Sequence, residues 1–305
     1  MSKKIVVIGS ANIDLIMKVP ELPAKGETVT GGSFHQIFGG KGANTAVGAA
    51  RAGGEVSFVA CVGQDANSSL MLAGLKNDGI NLDFVSEEES LPSGHALIMV
   101  DQTGNNCIAV AAGANQLLSP KHIDQAKSAI EKAAIICLQF EIPATTIEYV
   151  IQLAVAKQVP LLWNFAPAQS FPAEQRAKVD YLIVNEVEAA YLSGQEVKDR
   201  DSAILAAQAL INEGNKVVVI TLGNQGAIWV DSHRSFHQPA FPVDAIDATA
   251  AGDIFCGSLA TAIANGKTPE DAMSFATAAA AISVTRLGAQ PSAPRIEEIQ
   301  QFLNR

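Results

Sequence analysis

This 305-residue chain lacks most of the usual signposts, and each absence closes off a class of protein. Its four cysteines, Cys61, Cys107, Cys137 and Cys256, stand too far apart for a CxxC redox pair or a zinc cluster built from neighbours, so a reducing, cytoplasmic setting is expected. The five histidines are scattered, none beside a cysteine or second histidine at ligand spacing, and no transition-metal site is expected. Basic residues are scarce. Twenty-one Lys and Arg against 31 Asp and Glu give a net charge of -10, which leaves no positive field to drive counterion release and excludes nucleic acid as the main partner. No run approaches the roughly 18 apolar residues that cross a bilayer, and Ile5-Val6-Val7-Ile8 is too short for a signal-peptide core, so no membrane partner is expected. Standard phosphate-binding signatures are missing as well. Gly39-Gly40-Lys41-Gly42 lacks the earlier Gly and following Ser/Thr of a P-loop and the third Gly of a dinucleotide fingerprint, and there is no His-Arg-Asp or Asp-Phe-Gly of a protein kinase. An anionic ligand must therefore be held by local devices such as helix N-termini and a few placed cations.

What is present is apolar and regular. With 48% hydrophobic and 17% charged residues the chain can bury a large core, and its length suits one α/β domain, spanning 1–305, with an appendage. Short β-branched runs (Ile5 to Ile8, Val56 to Ala60, Ile135 to Leu138, Leu161 to Asn164, Tyr181 to Val184, Val217 to Thr221) alternate with helical patterns. Those helices are Ala43 to Ala52, Ser69 to Asp78, His122 to Lys132, Thr145 to Lys157, Ser202 to Glu213, Ala251 to Asn265, Pro269 to Thr285 and Arg295 to Leu303. This rhythm predicts βαβ units, hence a mainly parallel sheet. Two excursions, 14–38 and 91–113, alternate apolar and polar residues and predict a small antiparallel β lid. Trp163 and Trp229 read as core, and Glu87-Glu88-Glu89 as a solvated loop.

Four stretches could carry chemistry. Asp247-Ala248-Thr249-Ala250-Ala251-Gly252-Asp253 opens a helix with small residues: an anion could approach the backbone there, beside a carboxylate able to take a proton, although a lone Asp in a first helical turn is also common for dipole reasons alone. Phe38-Gly39-Gly40-Lys41-Gly42-Ala43-Asn44 opens another helix, where a glycine turn is by itself more often structural. Thr221-Leu222-Gly223-Asn224-Gln225-Gly226 joins two apolar strands and reads as a hairpin turn. Asn185-Glu186-Val187-Glu188 follows a strand end, where it could organise hydrated Mg²⁺ or simply cap a helix.

Taken in this order, together with Gly9-Ser10-Ala11-Asn12-Ile13-Asp14, these stretches resemble the PfkB carbohydrate kinase family from Ile5 to Phe302. Gly113-Ala114-Asn115, Asn164-Phe165-Ala166-Pro167-Ala168 and Arg286-Leu287-Gly288-Ala289-Gln290-Pro291-Ser292 bring the likeness nearest to its ribose-phosphorylating members. The resemblance implies a three-layer α/β/α, Rossmann-like fold and ATP-dependent phosphorylation of a sugar, D-ribose at its 5-hydroxyl. The lid has one apolar face and open edges that a two-fold partner could cover, so a homodimer through it is expected. It implies sugar contacts from Asn12, Asp14, Gly40, Lys41, Asn44 and Glu141. Asp253 falls on the catalytic base, with Ala250, Ala251 and Gly252 as the anion hole and Lys41 offsetting charge. Asn185, Glu188, Thr221, Gly223, Gly226, Gly252 and Thr277 fall on nucleotide and Mg²⁺ positions. Asp247, Thr249, Ser283, Arg286, Gly288 and Ser292 fall on a K⁺ site. The family usually carries Thr where this chain has Ala248, and often polar residues at Ile254 and Cys256. The same machinery could instead serve deoxyribose, another sugar or a nucleoside. A sugar sensor without turnover is a further reading, against which the retained Asp253 speaks.

Overall fold

The computed structural model describes residues 3–304, so residues 1, 2 and 305 of the expected 1–305 span lie outside the described residues. In chain order its strands are β1 (Lys4–Ile8), β2 (Asn12–Lys18), β3 (Ser33–Gly39), β4 (Glu55–Gly63), β5 (Asn81–Glu88), β6 (Gly94–Val100) and β7 (Asn106–Ala111). They continue with β8 (Ile135–Leu138), β9 (Leu161–Asn164), β10 (Tyr181–Asn185), β11 (Val217–Thr221), β12 (Ala227–Asp231) and β13 (Ser235–Gln238). Nine of them form one sheet in the order β13-β12-β11-β10-β9-β8-β1-β4-β5, parallel except for the β11-β12 and β12-β13 pairs at one edge. Alternation along each strand divides the core between two faces: in β1, Ile5 and Val7 join one buried cluster, Val6 and Ile8 the other. Each cluster is completed by helices, which gives the three-layer α/β/α arrangement expected from the sequence. Trp163 and Trp229 are both core residues.

The second sheet has the order β3-β2-β6-β7 and contains the two excursions. It is not wholly antiparallel, as the sequence suggested: β2-β3 and β6-β7 are antiparallel, but the central β2-β6 pair is parallel. The reason is topological. β2 follows parallel strand β1, and β6 follows parallel strand β5, so both leave the main sheet in one direction. Glu87 and Glu88 end strand β5 rather than forming a loop. The helix expected over 122–132 is interrupted at Ala126 (ψ 0°) and becomes Pro120–Gln125 and Lys127–Ile130.

Candidate active site

Two helices, Lys41–Arg51 and Ala251–Ala264, pack so closely that a Cβ on Gly257 would lie 2.4 Å from the Thr45 carbonyl oxygen. Their N-termini therefore meet above the C-terminal ends of the parallel strands, where open α/β sheets hold ligands. The first N-terminus is occupied by protein groups. Lys41 N–H donates to Glu141 Oε2 (3.1 Å), Gly42 N–H to Ser10 Oγ (3.3 Å) and Ala43 N–H to the Ser10 carbonyl (2.8 Å). The Ser10 hydroxyl also donates to Glu141 Oε2 at 2.5 Å, so this oxygen is already engaged. The second N-terminus has no side-chain cap. Its Ncap, Ala250, is left-handed at φ +61°, a conformation that typically costs a non-glycine residue about 1 kcal/mol or more and clusters at functional sites. Gly252 is exposed, and a Cβ there would meet nothing within 4 Å.

One turn into this helix Asp253 is 5% exposed, with both oxygens held: Asn44 Nδ2 donates to Oδ2 (3.0 Å) and Asn164 Nδ2 to Oδ1 (3.2 Å). Burial pushes its carboxyl above the ordinary Asp range, opposed by the Lys41 charge and the Asn44 amide. The Asp253 charge in turn raises the Lys41 ammonium against the opposing effect of burial, so Lys41 stays charged. Asn44 Oδ1 is buried without a protein partner, an acceptor left for a ligand. On the four-stranded sheet, Asp14 is pushed up to about 6 by burial, then by the neighbouring charges of Glu141 and Asp253. Asn12 Oδ1 accepts from Asn115 Nδ2 (2.8 Å), and Gly40, at φ +87°, forms the Ncap beside Asn12. Three carboxylates and one ammonium thus gather between the small sheet and the two helix starts.

On the other side of Asp253 lies a pocket of about 220 Å³ lined by Lys41, Asn164, Asn185, Glu188, Gly252 and Asp253 among others. It shares Thr221, Ala248, Ala251 and Gly252 with a mostly apolar cavity of about 460 Å³. The larger cavity brings together Thr221, Gly223, Gly226 and Thr277; the Thr277 hydroxyl is buried and unpartnered. The turn over 222–226 does join β11 to β12 as an ordinary hairpin would, with Leu222 N–H donating to the Gly226 carbonyl (2.8 Å), yet it also forms this cavity wall. Asn185 and Glu188 likewise have both properties. They make a capping box (Asn185 N–H to Glu188 Oε2, Glu188 N–H to Asn185 Oδ1, each 2.9 Å) and still line the pocket. Burial raises the Glu188 carboxyl, partly offset by the Asn185 N–H and Lys41.

The residues expected around K⁺ lie in the loop at Asp247 and Thr249 and along 283–292, from the end of helix Pro269–Ser283 to the turn at Ser292, and the two are tied together at Asp247. Its Oδ1 accepts from the Thr249 N–H (2.9 Å) and hydroxyl (2.6 Å), its Oδ2 from Gly288 N–H (2.9 Å). Although burial pushes its carboxyl up, these hydrogen bonds hold Asp247 below the ordinary range. The Ser283 and Ser292 hydroxyls donate to the Ala280 and Ala289 carbonyls (2.8 and 2.7 Å), and the Arg286 guanidinium pairs with Glu298. A cation here would have to draw on backbone carbonyls more than on these side chains.

A family model described as the pfkB family of carbohydrate kinases matches residues 2–296. The chain belongs to that family. A ribokinase of Haemophilus influenzae is 38% identical over 303 residues, 99% of each chain. A deoxyribokinase of Salmonella typhimurium is 36% identical over 301 residues, 98% of each. The structure of Arabidopsis thaliana ribokinase complexed with ribose and ATP superposes with a TM-score of 0.94 at 31% identity, covering all of both chains. This chain is therefore a carbohydrate kinase in fold and family.

Sequence reasoning left out Asn164 and Asn115 as site residues, although both stood inside stretches that carry the family resemblance. Each acts on a partner about a hundred residues away, a proximity no local spacing signals. Nor did spacing bring a histidine to a cysteine, yet Cys61, Glu88 and His122 place their donor atoms within 4.8 Å of one another. His122 Nδ1 accepts from Ser119 N–H (3.0 Å), so a neutral ring carries its proton on Nε2, facing Glu88, rather than a free lone pair for a metal.

Proposed function

We propose that the protein transfers the γ-phosphoryl group of ATP to the 5-hydroxyl of D-ribose, giving ribose 5-phosphate and ADP. The observation that carries this reading is Asp253: a buried carboxylate on the first turn of an uncapped helix, at the boundary between a polar cluster fit for a sugar and a cavity fit for a nucleotide. The chemistry is positioning plus charge neutralisation. Asp14 accepts from a pair of ribose hydroxyls, with Asn12, Gly40, Asn44 and Glu141 lining the same space. The 5-hydroxyl approaches Asp253, which takes its proton as the oxygen attacks phosphorus. Lys41 and the N–H groups of Ala250 and Gly252 stabilise negative charge on the phosphoryl oxygens, while Ala251, whose N–H donates to the Ala248 carbonyl (3.2 Å), completes the wall of the anion hole. The adenosine part lies in the apolar cavity against Thr221, Gly223, Gly226 and Thr277. Asn185 and Glu188 would hold the Mg²⁺ that accompanies ATP, which would neutralise phosphate charge. The segments of Asp247, Thr249, Ser283, Arg286, Gly288 and Ser292 would hold K⁺, which would keep the anion-hole backbone in shape.

The assembly we propose is a homodimer through the four-stranded sheet. Register places Met17, Phe34 and Leu97 on one face of it, 40%, 56% and 57% exposed, and a second copy would cover that apolar surface. A cytoplasmic location fits three buried, unpaired cysteines and the lack, among the described residues, of any helix long and apolar enough to cross a membrane.

The deoxyribokinase relative makes deoxyribose the second reading of the acceptor. One assay separates these readings: ATP consumption measured with ribose, deoxyribose, a nucleoside and no acceptor. Ribose should give the highest kcat/KM. Higher kcat/KM with deoxyribose or the nucleoside would transfer the assignment, and ATP consumption that no acceptor stimulates would remove it.

A further inference from the structure

Asp253 has a second amide partner that needs a role. Asn44 touches the carboxylate from the sugar side, and its own Oδ1 is left for a ligand. Asn164 approaches from beneath. It ends β9, whose four residues are all buried between β8 and β10, and its backbone is fixed by the Ala166 N–H to Asn164 carbonyl bond (2.8 Å) and, one residue on, by Phe165 N–H to the Ile183 carbonyl (3.0 Å). The side chain is 7% exposed and lines the smaller pocket beside Lys41, Gly252 and Asp253. Asn44 belongs to the helix that carries the sugar contacts, whereas Asn164 belongs to the sheet. A carboxylate held by one donor on each oxygen, from two different layers of the fold, cannot rotate about its χ2 axis without breaking one of them.

We propose that Asn164 is a positioning residue for the phosphoryl-transfer base, fixing the Asp253 carboxylate in the plane and ionisation state that accept the sugar hydroxyl proton. The assignment rests on the reading of Asp253 as that base. It leaves Asn164 itself out of the transfer: no bond to substrate is made or broken there. Because its N–H bonds the ionised form, losing it destabilises the carboxylate relative to the acid and moves proton uptake to higher pH.

The test compares the full-length parent with Asn164→Ala and Asn164→Asp. The first measurement needs no turnover: ¹³C NMR titration of the Asp253 carboxyl, assigned with Asp253→Asn. An upward shift of its titration in Asn164→Ala, larger in Asn164→Asp where a second carboxylate adjoins it, supports the proposal. The second is steady-state kinetics: kcat falls about tenfold to hundredfold in Asn164→Ala, the acid limb of kcat moves up in pH, and the KM values for ribose and ATP change less than threefold. An unmoved carboxyl titration overturns the proposal even if activity falls, since a packing defect would lower activity and melting temperature without moving that titration. A parent that shows no sugar-dependent turnover defeats the reading of Asp253 instead, and the NMR result still decides whether Asn164 orders the carboxylate.

Discussion

The two glycine-rich helix starts look alike in the sequence and differ in the structure by what fills them. At Lys41 the first N–H groups are consumed by Ser10 and Glu141, and small residues are needed because another segment of chain crosses there: a Cβ on Gly42 would lie 2.5 Å from Ser10 N and 2.6 Å from the Gly9 carbonyl carbon. At Ala251 no side chain caps the helix, and small residues leave open space in front of Gly252. A glycine-rich turn thus means tight packing in one case and room for a ligand in the other. Both helix starts carry a positive dipole end, and the Ala251 N–H donates to the Ala248 carbonyl (3.2 Å), but only the second start leaves the next N–H groups, Gly252 and Asp253, without a side-chain acceptor and facing open space where a phosphate could lie.

The sharpest way to break this contrast is to remove the base beside the open end. Asp253→Asn should keep the fold and nucleotide binding but lower kcat by roughly 10² to 10⁴, the range of a positioned proton acceptor. Melting curves, nucleotide titration and initial rates check all three; a parental rate would show the carboxylate to be structural.

Next come the glycines themselves. Gly42→Ala collides with backbone and should destabilise the protein by about 1–3 kcal/mol, read from denaturant unfolding. Gly252→Ala should leave stability equal or raise it by about 0.5–1 kcal/mol, while its methyl occupies the space given to phosphate and lowers kcat/KM for ATP roughly tenfold. The reverse pattern would mean that the roles of the two helix starts have been exchanged.

How far these roles were legible depends on how local their causes are. Strands Ile135–Leu138, Leu161–Asn164 and Val217–Thr221 coincide with the sequence reading because a short apolar run that ends at a polar residue (Gln139, Asn164, Thr221) is a local signal. The short edge strand β13 was not anticipated; in Ser235–Gln238 only Phe236 is apolar, and the segment owes its conformation to pairing with β12. The parallel β2-β6 pair was missed because register between two distant excursions is set by where they leave the main sheet. In the site, Asp253 and Lys41 stand in motifs with a chemical reading of their own; Asn164 also stands in a stretch that carries the resemblance, but its role shows only when the fold brings it to Asp253 across a separation of 89 positions.

A smaller effect concerns the acidic surroundings of the first helix start. Asp14, with its carboxyl pushed up to about 6 in the empty site, must be ionised to accept two sugar hydroxyls, so ribose binding expels a proton below that pH. The KM for ribose should rise as pH falls through about 6, by up to tenfold per unit, with the KM for ATP nearly constant. The same burial makes the ionised group a cost to the empty protein: its folded value lies above the unfolded one, so the stability it contributes is present at low pH and lost as pH rises through about 6. Asp14→Asn should therefore raise the melting temperature at pH 7 while weakening ribose use. A KM for ribose that ignores pH from 5 to 7 would remove Asp14 from the sugar site.

The smallest expected change is ionic. Replacing K⁺ by Na⁺ at constant ionic strength should lower kcat or raise the ribose KM only modestly, because Gly288 N–H already ties Asp247 across the two segments and Ala248 lacks a hydroxyl. Identical kinetics in the two salts would withdraw those six residues as a cation site.

The central claim, that one helix start receives the phosphate and the other does not, can be read from the backbone itself. Amide ¹H and ¹⁵N shifts of Lys41, Gly42, Gly252 and Asp253 should be followed while a non-hydrolysable ATP analogue is added to protein already saturated with ribose and Mg²⁺. Large downfield changes at Gly252 and Asp253 with little change at Lys41 and Gly42 are the predicted result; changes concentrated at Lys41 and Gly42, with Gly252 and Asp253 unmoved, would contradict it.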